Sequence, residues 1–189
     1  MMNLNEKKVF TTRNLVFMGL FAAVTAVLSQ ISLPLPTNVP LTLQTFAVAL
    51  AGYFLGWLKG GISILVYVLV GAVGAPVFAG FKGGFGVITG PTGGFIIGFV
   101  IMAVLCGLGS DFFNKKNAIS VIAGILFGIA GLAVCHAFGC VHFARTSGQS
   151  LWNAFLVVSV PYLVKDVISV AAAYFICREL RHRLIKSGA

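Results

Sequence analysis

Apolar residues run in six blocks along this chain, at residues 15–33, 41–58, 61–73, 94–108, 118–137 and 151–177. The polar stretches between them hold most of the charges and prolines. Several blocks approach the roughly 20 residues with which a helix crosses a hydrocarbon core. The third is short and runs into a glycine-rich stretch. The sixth is long and contains Pro161. A proline removes a backbone donor and clashes with the preceding turn, so a kink or interruption is expected there. The residues before it are expected to lie partly along the membrane interface. Small residues recur four apart, as Gly19/Ala23, Ala22/Ala26, Gly56/Gly60, Gly94/Gly98 and Gly124/Gly128. Such pairs let helices approach closely in lipid, and ordinary packing within the bundle is the preferred reading of any single one. The pattern predicts an all-α integral membrane protein, six transmembrane helices in one compact bundle over residues 1–189.

Composition removes the soluble alternative. Apolar residues make up 59% of the chain and charged residues 9%, against about 25% charged in a soluble domain. With 17 phenylalanines, no water-soluble fold of this length hides its apolar surface, and the bilayer is the solvent. The net charge of +9 would suit nucleic acid or an anionic surface, but its distribution does not. Basic residues gather at the block edges, and no basic patch interleaved with aromatics exists for nucleic acid to stack on.

Charge also orients the chain. With six spans and the N-terminus inside, the inner segments hold Lys7, Lys8, Arg13, Lys59, Lys115, Lys116, Arg178, Arg181, Arg183 and Lys186. The outer loops hold only Lys82 and Arg145. That asymmetry places both termini in the cytoplasm, with residues 1–14 and the basic tail 178–189 inside. A basic stretch before an apolar run also fits a signal peptide, but the blocks behind it favour an uncleaved first span.

Cys106, Cys135, Cys140 and Cys177 lie in or beside apolar blocks and read as reduced structural thiols. The run Cys135-His136-Cys140-His142 raises a metal site. On one straight helix Cys135 and His142 share a face, while His136 and Cys140 share another. Four ligands on two faces do not converge tetrahedrally, so no metal is expected. No cofactor motif is present.

The most informative polar residues are Lys165 and Asp166, the only charges in the sixth block of a chain with four acidic residues. Ionisable groups at membrane depth are costly and mark a ligand or ion site by default. Adjacent helical residues do not face each other, so a self-neutralised pair is geometrically poor. A ligand carrying an anion and N–H donors would satisfy both; Asp166 as a proton carrier tuned by Lys165 is the other reading. Tyr162 lies one turn before Asp166, and Ser169 one turn after Lys165. Two further features are expected at the same pocket. Leu33 to Pro40 carries three prolines and leads to Thr42 and Gln44; it is stiff and extended, and the Gln44 amide can both donate and accept. Residues 71–98 contain ten glycines together with Phe78, Phe81 and Phe85. No phosphate-loop pattern is present, and a non-helical apolar lid over a cavity fits better.

At these residues the chain resembles the BioY family. The likeness rests on residues 39–46 (VPLTLQTF), 71–81 (GAVGAPVFAGF) and 90–95 (GPTGGF), and it extends over nearly the whole chain. BioY proteins are the biotin-binding S components of energy-coupling factor (ECF) vitamin transporters. The resemblance implies a multi-pass protein of the cell membrane, not an enzyme. It would capture biotin from outside and pair with a transmembrane T subunit and two ATPases. The family's Ala-x-x-x-Ala patch for the T subunit falls on Ala22 and Ala26. Where the family usually reads Pro-Phe-x-Pro-Gly-Asp-x-x-Lys, this chain has Tyr162 for Phe, Lys165 for Gly, the matching Asp166, and Ser169 for Lys. On this reading Asp166 takes a ureido N–H, Gln44 the polar head group and Lys165 the carboxylate, with Phe78 or Tyr162 against the rings. Thr42, Gly84 and Ser169 complete the expected substrate-binding set. The alternative function is a proton-coupled secondary transporter of a small anionic metabolite working through Asp166.

Overall fold

The computed structural model describes residues 10–113 and 117–186. Lys7, Lys8, Lys115 and Lys116 of the orientation count, the Lys186 side chain and the end of the basic tail at 187–189 lie outside the described residues.

Helix α1 (Thr12–Ser29) starts where the Thr11 hydroxyl accepts from the Asn14 N–H at 3.3 Å, a side-chain N-cap. The three-proline segment after it is closed at its base by a two-residue antiparallel ladder. Strand β1 (Ser32–Leu33) pairs with β2 (Leu41–Thr42) in the register Ser32↔Thr42 and Leu33↔Leu41. Helices α2 (Gln44–Leu55) and α3 (Trp57–Ala72) are separated by one residue, Gly56, at φ 83° and ψ 172°. Only glycine reaches that region freely, so the break falls at Gly56 and not beyond residue 58.

After the glycine-rich stretch and a five-residue helix α4 (Phe85–Thr89), α5 runs from Gly93 to Gly109 and ends in a 3-10 turn at Ser110–Phe112. Helix α6 (Ala118–Ser147) extends well past the expected end at residue 137 and stops at Gly148, whose φ is 69°. A left-handed glycine is a common helix stop. The sixth block divides into α7 (Leu151–Val158) and α8 (Val160–Lys186) at Ser159, not at Pro161. Pro161 sits in the first turn of α8, where a missing N–H costs nothing. The N–H groups of Tyr162 and Leu163 donate to the Ser159 carbonyl at 2.9 and 3.1 Å and start the new helix.

Four stretches are long and apolar enough to cross a membrane: Thr12–Ser29, Gly93–Phe112, Ala118–Ser147 and Val160–Arg181. Helices α2 and α3 are shorter apolar helices. Helix α2 lies inside the bundle, with Ala47, Val48, Ala49, Ala51 and Tyr53 fully buried. Outward faces carry Val16, Leu20, Leu65, Leu69, Ile122, Leu126, Ile168 and Phe175 in the open, as a lipid-facing surface requires. Helices α5 and α6 meet over glycines: a Cβ on Gly98 would stand 2.8 Å from Cys135 Cα. Ala22 is buried in the core and Ala26 is half-buried against it. Helix α1 packs on α2 and α3, and Gly19 and Ala23 lie on its exposed side.

Candidate functional site

A cavity of about 410 Å³ opens between the proline loop, the glycine-rich segment, α5, α6 and α8. Small-molecule sites fall in this size range. Thr42, Gln44, Phe78, Tyr162, Lys165 and Asp166 of the expected set line it. Gly84 and Ser169 are not among its lining residues: Gly84 turns the chain into α4 at φ 95°, and Ser169 lies one turn deeper on α8. Phe81 and Phe85 are largely exposed, so Phe78 alone of the three phenylalanines forms wall.

The proline loop and the start of α2 supply one polar wall. The Gln44 amide donates to the Tyr67 hydroxyl at 2.6 Å and accepts from the Thr42 hydroxyl at 3.1 Å. Tyr67 passes the chain on to the Val77 carbonyl at 3.2 Å. The Tyr162 hydroxyl donates to the Val39 carbonyl and lies 3.3 Å from Thr37 Oγ1, clamping the loop onto α8.

The glycine-rich segment is held from α1, by residues that spacing alone did not single out. Ser29 donates to the Val77 carbonyl at 2.6 Å. The Gln30 side chain donates to the Phe78 carbonyl at 3.2 Å and accepts from the Phe81 N–H at 2.8 Å. Phe78 stands edge-on to Tyr67 at 5.5 Å and fills the space left by the missing side chain of Gly71. At the other end of the segment His142 Nε2 donates to the Gly90 carbonyl at 3.0 Å.

The charged wall lies on α8. Contrary to the expectation for neighbours in sequence, Lys165 and Asp166 form an ion pair through Nζ and Oδ1. The long lysine stem lets its ammonium turn back along the helix, and the same ammonium donates to the Thr42 carbonyl at 2.6 Å. Asp166 Oδ1 receives no hydrogen bond of ordinary geometry among the described residues. Its Oδ2 lies 3.2 Å from His136 Nε2.

His136 has no carboxylate nearby in sequence, and its pairing with Asp166 was not foreseen. The signal was available: an ionisable residue inside an apolar block is a site candidate by the same reasoning that singled out Asp166. Cys135 turns its thiol to the Phe95 carbonyl at 3.5 Å, and Cys140 stands 3.0 Å from Ser159 Oγ. Within this run Cys135 and His142 thus bond the backbone carbonyls of Phe95 and Gly90, while His136 and Cys140 share Ser159 Oγ.

Lys82 completes the lining from the glycine-rich segment. Its backbone pairs with Phe78, while its exposed side chain has no ion-pair or hydrogen-bond partner among the described residues. The lining thus holds two lysines and one aspartate, and the aspartate is already paired with Lys165.

The model of the BioY family matches residues 2–186. A relative from Pyrococcus horikoshii is 40% identical over 163 residues, spanning 86% of this chain and 93% of that one. The biotin transporter BioY of Thermotoga maritima is 38% identical over 169 residues, 89% of this chain and 96% of the relative. In the crystal structure of the S-component for biotin from an ECF-type ABC transporter, 95% of the chain is matched by 96% of this one, with a TM-score of 0.79 and 25% identity.

Proposed function

The chain belongs to the BioY family, and on that premise we propose that it captures biotin in the cavity above α2 as the substrate-binding subunit of an ECF-type uptake transporter. It is a multi-pass membrane transport protein, not an enzyme. The observation that carries the reading is the cavity lining: apolar walls from Phe78, Phe95, Ile96 and Phe99, a paired aspartate, an amide, and one lysine in surplus. Biotin offers the complement, with an apolar thiophane ring, a ureido group that both donates and accepts, and one carboxylate.

The six membrane crossings are α1, α2, α3, α5, α6 and α8, with both termini cytoplasmic. Helices α2 and α3 are short for a crossing because the cavity and its lid occupy the outer part of the bilayer there. The ureido N–H groups meet Asp166 in this arrangement, and Gln44 faces the polar head. Lys165 is engaged by Asp166 and Thr42 and leaves the carboxylate to Lys82 at the mouth. The T subunit docks on the open side of α1 at Gly19 and Ala23, and two ATPases drive release.

Calorimetric titration of biotin into the purified chain in detergent tests the capture reading, with thiamine and riboflavin as controls. Tight one-to-one binding of biotin alone is expected. A folded sample that ignores biotin would sink it, and proton-dependent uptake by the lone chain would favour a secondary transporter instead.

A further inference from the structure

The geometry points to His136 as a positioning residue that holds Asp166 in its ligand-binding orientation, anchored from behind by Ser159 and Cys140. The assignment rests on the biotin-capture reading for the ligand, but the hydrogen-bonded chain itself is read from the fold. His136 and Cys140 stand one turn apart on α6 and share a face. Both face Ser159, the fully buried residue at the break between α7 and α8. His136 Nδ1 lies 2.8 Å from Ser159 Oγ, and Cys140 Sγ lies 3.0 Å from the same oxygen. On the other side of the ring Nε2 reaches Asp166 Oδ2 at 3.2 Å. The Phe95 ring meets the imidazole edge-on at 5.6 Å and limits its rotation.

Donor and acceptor chemistry sets the direction of this chain. A carboxylate paired with Lys165 only accepts, so the nitrogen facing it carries a proton. In the neutral ring Nδ1 is then an acceptor, and the group opposite it is the Ser159 hydroxyl, which donates. Ser159 Oγ keeps lone pairs for the Cys140 thiol. One arrangement of protons thus satisfies both ring nitrogens of His136, the Ser159 hydroxyl and the Cys140 thiol together. The arrangement has a mechanical consequence. Lys165 pulls on Oδ1 from its own helix, while His136 pulls on Oδ2 from α6, and the two hold the carboxylate plane between them. Without His136, the carboxylate is free to follow the lysine away from the cavity. Ser159 also starts α8 through its carbonyl, so one residue sets both the helix that carries Asp166 and the ring that orients it.

Two substitutions separate the ends of the ring. In His136→Gln the amide nitrogen reaches about as far from the backbone as Nε2 and can still donate to Asp166. In His136→Asn the shorter amide reaches only toward Ser159. Biotin affinity of the full chain in detergent is expected to stay within a few-fold of wild type for His136→Gln. It is expected to fall on the order of 10- to 100-fold for His136→Asn, as for loss of a hydrogen bond to a charged group. Equal loss in both variants, or no loss in His136→Asn, would overturn the proposal. A second readout needs no ligand. In ¹⁵N-histidine-labelled protein, with His136 among the three histidines identified by its absence from the Gln variant, Nε2 is expected to be the protonated nitrogen of the neutral ring. A ring protonated at Nδ1 alone would place a lone pair against the carboxylate and exclude the role. If the wild-type chain binds no biotin, the capture reading falls, and this spectrum alone decides whether His136 holds Asp166.

Discussion

Lys165 Nζ donates to the carbonyl of Thr42 at 2.6 Å, tying α8 to the strand that leads into α2 across 123 residues of sequence. The same ammonium pairs with Asp166, so one lysine joins the charged wall of the cavity to its polar wall. Truncating either partner of a buried pair leaves the other uncompensated. Asp166→Asn is therefore expected to weaken biotin binding by about 2–5 kcal/mol, roughly 30- to several-thousand-fold. Lys165→Met should weaken it too, and the double variant should lose less than the sum, because the two residues are coupled. Calorimetry on the four proteins closes the cycle. Strict additivity would show that the pair does not act as a unit.

Lys82 differs from Lys165 in exposure. A charge at the open mouth is screened by water and salt. Lys82→Gln is thus expected to weaken biotin binding by roughly five-fold or less, and less so as salt is added. The uncharged amide of biotin should bind the two proteins equally. An equal loss for acid and amide would remove Lys82 from the carboxylate.

Tyr67 is not among the cavity's lining residues, yet it accepts from the Gln44 amide and donates its hydroxyl hydrogen bond to the Val77 carbonyl. Tyr67→Phe leaves the buried Gln44 amide donor without its partner, while the Val77 carbonyl keeps the Ser29 hydroxyl, at a cost of about 1–3 kcal/mol. A lower thermal midpoint in detergent and weaker biotin binding are expected together. Unchanged affinity would mean that Gln44 does not depend on this support.

The two faces of α1 give opposite expectations. Ala22 is buried against the core, so Ala22→Trp should destabilise the purified chain. Gly19 has nothing within 4 Å of where a Cβ would stand, so Gly19→Trp should leave the midpoint and biotin affinity unchanged. In cells that supply the T subunit and ATPases, Gly19→Trp should nevertheless reduce biotin uptake. Normal uptake would place the docking surface elsewhere.

Close contact between α5 and α6 positions His136. A side chain on Gly98 collides with the backbone of Cys135, and backbone yields less easily than a flexible side-chain end. Gly98→Leu is expected to cost about 1–3 kcal/mol by overpacking, read as a lower thermal midpoint. Its effect on biotin affinity should be larger than that of a similar change at exposed Gly19.

Much of this molecule was legible one residue at a time. Apolar blocks without charge force the chain into a bilayer, because no soluble fold could cover them. Asp166 and Gln44 stand out for the complementary reason: a polar group at that depth needs a partner wherever the chain goes. The GPTGG and VPLTLQTF blocks carry the family. What pairs with what was decided only by the tertiary structure. His136 meets Asp166 across 30 residues because α6 and α8 approach at one height and rotation. Those are set by the glycines of α5 and by the break at Ser159, not by any local pattern. Lys165 was misjudged from helix geometry because neighbouring Cβ atoms diverge while a long, flexible stem can bring its charge back. Ala22 and Ala23 differ by one position on the same helix, and only packing against α2 and α3 determines which of them faces outward. Local chemistry states which groups must be satisfied; the distances between helices choose the groups that do it.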